Sequence, residues 1–128
     1  MPRQSIQSPQ APAPIGPYVQ AVKAGDFIFV SGQLPVDPLT GTLVRAGVRA
    51  QTRRALDNLK AVLEAGGATL AHVVRVTVYL KDIEDFAQVN EVYAEFFPQN
   101  APARVTVGVA RLPKDAALEL DAIAYTGS

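Results

Sequence analysis

An α+β fold, one mixed β-sheet with two helices packed on one face, is predicted by three features of the 128-residue sequence. Apolar residues alternate with a period of two in at least five segments and recur at helical spacing in two others. These segments follow in the order β-β-α-β-α-β-β. Two helices laid against one sheet bury every apolar face in a single core, and the length suits one domain spanning residues 1–128.

Residues 1–17 hold five of the ten prolines and are expected to be extended and loop-like, because proline lacks the N–H that a helix or central strand needs. "YVQAV" and "DFIFVSGQL" read as two strands joined by the turn "KAGD". In the second, Ile28 and Val30 share one face, and Phe27, Phe29, Ser31 and Gln33 the other. Asp37, Pro38 and Gly41 mark a turn. Spacing predicts a helix over residues 47–65, with Thr52, Ala55, Leu56, Leu59, Val62 and Leu63 along its apolar stripe and Gly66 and Gly67 ending it. "HVVRVTVYL" is a β-branched strand with Val74, Val76, Val78 and Leu80 on one face. The second helix starts near Asp82, a suitable N-cap, runs through Phe86, Val89, Tyr93 and Phe96, and ends before Pro98. Two strands close the chain, one opening "ARVTVGV" and one "ALELDAIAY".

If each strand turns its purely aliphatic side to the helices, the other side of the sheet carries Phe27, Phe29, Ser31, Arg75, Thr77, Tyr79, Arg104, Thr106, Glu119 and Ile123. Such a face is too apolar for solvent and too polar for a closed core. It suits an interface between copies of the chain, with a polar pocket in it.

Composition narrows the chemistry. Twelve basic residues balance twelve acidic ones, so no basic field draws in nucleic acid, and an acidic substrate has to be caught by local arginines. With no cysteine, disulfides, thiolate nucleophiles and zinc–thiolate sites are excluded. A single histidine, His72, reads as a loop residue, and no metal or other cofactor is expected. Phosphate-cradling glycine loops are absent. No apolar run reaches the roughly 18 residues that span a bilayer, so a soluble cytoplasmic protein without membrane contact is expected.

Among candidate site residues, Arg104 and Glu119 come first. Both can point to the mixed face, and on neighbouring strands they would share a pocket floor. Arg104 could then grip a substrate carboxylate in a bidentate fork, and Glu119 could deprotonate a water. Spacing alone leaves open that they merely pair with each other or with solvent. Tyr18 reads on pattern as an ordinary strand aromatic, with a lid over a pocket as the alternative, and Ser31 and Asn90 read as ordinary hydrogen-bonding residues. Arg53 and Arg54 read as a solvated helix face.

Several stretches taken in order, "APAPIGPYVQAV", "FVSGQLPVDPLTG", "VYLKDIEDFAQVNEVYAEFF", "PARVTVGVARLPKDA" and "LELDAIA", resemble the reactive intermediate deaminases, the Rid or YjgF family. The likeness runs from about residue 11 to residue 125. It implies a chorismate-mutase-like fold assembled as a homotrimer, with a site in each cleft between subunits. It implies hydrolysis of 2-imino acids and their enamine tautomers, such as 2-aminoacrylate and 2-iminobutanoate, to 2-keto acids and ammonia. That activity would protect pyridoxal-phosphate enzymes from these intermediates. By the same resemblance, Arg104 grips the substrate carboxylate, Glu119 positions and activates water, and Tyr18, Ser31, Gly32, Asn90 and Thr106 line the pocket. Thr106 stands where many members have cysteine, Gly108 where glutamate is frequent, and Asp121 where a second glutamate is common. Two rivals are a non-catalytic trimer that binds small carboxylates or a protein partner, and, more weakly supported, the endoribonuclease or translation inhibitor described for some relatives.

Overall fold

The computed structural model describes residues 3–127. Eight elements follow in order: β1 (Gln4–Ile6), β2 (Ala21–Ala24), β3 (Phe27–Gln33), α1 (Val48–Ala65), β4 (Val73–Leu80), α2 (Phe86–Phe96), β5 (Ala103–Gly108) and β6 (Leu118–Tyr125). They form one six-stranded mixed sheet in the order β1-β2-β3-β6-β4-β5. Only β4 and β5 run parallel, joined through α2, and the other neighbours are antiparallel.

Both helices lie on one face. The apolar stripe of α1, Ala55, Leu56, Leu59, Val62 and Leu63, packs on Ile28 and Val30 of β3 and on Leu118, Leu120, Ala122 and Ala124 of β6, all buried. Arg49–Glu91 (2.8 Å) and Arg53–Glu95 (3.0 Å) bridge α1 to α2 one turn apart, which sets the helices side by side and parallel. Arg53 is thus an exposed ion-pair residue, and Arg54 donates to the buried Asn58 at 3.1 Å. His72 closes a capping box with Thr69, whose N–H it accepts at 3.0 Å.

Several expectations need correction. Within the lead-in, residues 4–6 form strand β1 on β2, because the run between Pro2 and Pro9 keeps its N–H donors. The strand expected from Tyr18 begins at Ala21, because Gln20 instead ties down the proline-rich strap. The Gln20 side chain accepts the Ser8 N–H at 2.6 Å and donates to the carbonyls of Ala11 (3.3 Å) and Pro12 (2.8 Å). In β4 a register shift between Val73 and Arg75 buries Val73 and leaves Val74 44% exposed, so Val73, not Val74, joins Val76, Val78 and Leu80 under the helices. Asp82 does cap, but it caps a short 3₁₀ turn, Ile83–Asp85, and α2 itself starts at Phe86.

Strand β5 supplies the largest correction. Arg104 pairs with Val76 and Thr106 with Val78, so both point to the helix side, while Val105 and Val107 face the open side at 40% and 38% exposure. The aliphatic side of β5 is therefore the outer one. At the sheet edge α2 and the turn before it, through Ile83 at Gly108, reach over this strand, so the helix side of β5 is a rim rather than a closed core. Across the open face, Val107, Tyr79 and Glu119 form one row and Val105, Thr77 and Asp121 the next.

Candidate functional site

The residues singled out from the sequence fall into two groups, on opposite faces of the sheet. On the helix side, the Arg104 guanidinium carbon lies 4.7 Å from the centroid of Tyr93 and 5.4 Å from that of Phe86. Phe86, Asn90 and Tyr93 are spaced i, i+4, i+7 along α2, which sets all three on the helix face that overhangs β5. Arg104 has no carboxylate partner among the described residues. Two hydroxyls nearby in sequence and fold, Tyr93 Oη and Thr106 Oγ1, are buried with no hydrogen-bond partner among the described residues. Buried polar atoms are rarely left so, and a water in this rim would satisfy them.

The second group is on the open face. Glu119 is half-buried and packs its carboxylate directly over Gly32, where any Cβ would collide with it. Only glycine lets the β3 backbone approach this closely. The register of β3 on β6 shifts between Val30 and Gln33, so Ser31 and Gly32 bulge at this point. Ser31 Oγ donates to the Val19 carbonyl at 2.6 Å, and Tyr18 Oη accepts the Ile15 N–H at 3.3 Å while its ring stays 52% exposed. These bonds fix the strap beside the bulge. A cavity of about 280 Å³ opens there, lined by Pro12, Pro14, Tyr18, Gly32, Leu34 and Val36 among others.

Burial, and then the nearby Asp121 carboxylate, raise the Glu119 carboxyl above its ordinary pKa. Asp121 itself accepts a hydrogen bond from Tyr79 Oη at 3.0 Å. No cation pairs with Glu119 among the described residues. It is a carboxyl group with a raised proton affinity, packed over Gly32, which lines the cavity, and that is a setting suited to a general base.

Arg104 and Glu119 do not share a pocket floor within one chain. Strand β4 lies between β5 and β6, and Arg104 is level with Val76 but Glu119 with Tyr79, so two strand spacings across and three residues along separate their backbones by roughly 14 Å. They also point to opposite faces. Thr106 and Asn90 lie on the Arg104 side, and Tyr18, Ser31 and Gly32 on the Glu119 side. Sequence reasoning assigned Phe86 and Tyr93 only to the apolar stripe of the second helix. Their usable signal was the Phe86–Asn90–Tyr93 spacing, which sets a polar group between two rings on one helix face. No group of three or more metal-ligating side chains forms among the described residues, and no helix is long and apolar enough to cross a membrane.

Residues 8–126 match the protein-family model described as Endoribonuclease L-PSP. A RutC family protein of Pyrococcus abyssi is 56% identical over 98% of this chain and 98% of its own length. The 2-iminobutanoate/2-iminopropanoate deaminase of Escherichia coli is 53% identical over 94% of this chain and 95% of its own. The crystal structure of E. coli TdcF with bound serine superposes with a TM-score of 0.93 at 45% identity, covering 97% of this chain and 99% of that one.

Proposed function

Because the chain belongs to the Rid/YjgF family, we propose that it hydrolyses small 2-imino acids and their enamine tautomers to 2-keto acids and ammonia, at a site completed by two copies of the chain. The observation that carries this reading is the unpartnered Arg104 guanidinium, held against two aromatic rings. A planar fork of N–H donors with no carboxylate of its own is suited to receive one from a ligand. The name of the E. coli relative, a 2-iminobutanoate/2-iminopropanoate deaminase, agrees with a small 2-imino acid as that ligand.

The open face supports completion by a second copy. Phe27, Phe29, Val105, Val107 and Tyr125 are large apolar residues 38–46% exposed on it. Phe27 packs at 5.0 Å from Tyr125 and 6.2 Å from Phe29, and the three rings form a patch, with Val105 and Val107 a second one on β5, of the kind that copies of a chain cover. In a homotrimer, the Arg104 rim of one subunit would meet the Glu119 pocket of the next. Asn90 and Thr106 then come with the arginine, and Tyr18, Ser31 and Gly32 with the glutamate.

The chemistry needs no cofactor. Arg104 holds the substrate carboxylate, and Glu119 takes a proton from water as its oxygen adds to the electrophilic C=N carbon of the protonated imine. Glu119 passes that proton to the carbinolamine nitrogen and takes up the hydroxyl proton as the C–N bond breaks, so ammonia leaves and the carbonyl forms. Catalysis is mainly placement, since the reaction already runs slowly in water. The test generates 2-iminobutanoate with a threonine dehydratase and traps the unhydrolysed imine with semicarbazide. Faster 2-oxobutanoate release with the protein, lost in Arg104→Ala, supports the reading. Release no faster than in buffer overturns it.

A further inference from the structure

Arg104 is held differently from the arginines of α1. Arg49 and Arg53 each engage a carboxylate, Arg53 with the Phe96 ring 6.0 Å away as well, whereas Arg104 meets the rings of Tyr93 and Phe86 and no carboxylate among the described residues. Holding so long a side chain in one geometry sacrifices rotamer freedom, so a fixed position needs a compensating contact. A carboxylate would supply one, but it would occupy the N–H edge that a ligand must use. A ring face attracts the positive charge through its quadrupole and engages no N–H with an acceptor oxygen. Tyr93 is itself immobilised: it is 7% exposed and its ring packs 4.7 Å from Phe97. Its hydroxyl makes no hydrogen bond among the described residues, so the ring is what this residue contributes.

We propose that Tyr93, together with Phe86, is a positioning residue that holds the Arg104 guanidinium in place while leaving its N–H fork open to a carboxylate. This rests on the carboxylate-clamp role proposed above. It predicts that the ring, not the phenol, is required.

The test measures binding of 2-oxobutanoate by calorimetry, and steady-state hydrolysis of the imine, for the wild type and for Tyr93→Leu, Phe86→Leu and Tyr93→Phe. The leucine variants are expected to bind roughly tenfold more weakly, with KM raised by a similar factor and kcat changed far less. Tyr93→Phe, which keeps the ring, rescues binding. A general packing defect would instead lower the amount of active protein and would not split KM from kcat. Phe86 is 42% exposed, so Phe86→Leu decides the matter if Tyr93→Leu does not fold. Wild-type binding in folded leucine variants overturns the inference, as does a loss in Tyr93→Phe equal to that in Tyr93→Leu. A wild type that binds no 2-keto acid overturns the clamp itself. A wild type that binds well, with silent ring variants, overturns only the aromatic positioning.

Discussion

Glu119 sits half-buried over Gly32, and both its burial and the Asp121 carboxylate favour its protonated form. A carboxyl whose pKa is raised in the fold stabilises the native state in acid. That contribution is lost as pH rises through the folded pKa. Glu119→Gln is therefore expected to melt higher than the wild type at neutral pH. The gap should close as pH falls below the folded pKa, and thermal melts across pH read both. The same variant should lose imine hydrolysis, separating the group's chemistry from its stability effect. If ionised Glu119 is the base, the acid limb of the kcat/KM profile lies above the ordinary carboxylate range. Asp121→Asn, by removing the second cause of the shift, moves that limb to lower pH. Gly32→Ala tests the close approach: the added methyl meets the flexible end of Glu119 rather than backbone. It should depress activity by displacing the carboxylate, with a change in melting temperature small by comparison.

Among the elements, α1 was readable almost to the residue, because its stripe has the helical period and two glycines follow it. The closing strand β6 was equally legible, since both of its faces alternate without interruption. Strand β5 was misread although its alternation is just as regular. Period tells which residues share a face but not which face the helices cover, and at a sheet edge the apolar side need not be the inner one. The bulge after Val73 hid from the sequence for a related reason: Val73 and Val74 are both valines, and alternation with Arg75 and Thr77 marks Val74 as the inner one. One helix residue that the pattern did not single out ties α1 to the segment after β3. Asn58 is fully buried, and its side-chain amide donates to the carbonyls of Leu34 and Val36 at 3.0 Å each. Asn58→Ala should cost about 1–3 kcal/mol for each carbonyl it leaves unpaired, read as a lower urea midpoint with an unchanged slope.

On the scale of the whole molecule, the sequence showed which residue types carry the chemistry, while their separation onto opposite faces followed only from strand order and register. A formal charge of zero gives the molecule no net positive charge with which to attract a phosphate backbone. The apolar open face weighs toward assembly. Val107→Asp would put an unpaired carboxylate into that contact and should yield monomers in sedimentation analysis, with hydrolysis reduced by more than about tenfold.

The most direct measurement mixes two inactive proteins. Arg104→Ala and Glu119→Gln, unfolded together and refolded at equal concentration, should each be inactive alone. If every site takes its arginine from one subunit and its glutamate from the next, random assembly leaves about one site in four intact, and about a quarter of wild-type hydrolysis returns. No recovery, from mixed oligomers shown to have formed, would contradict a site shared between copies of the chain.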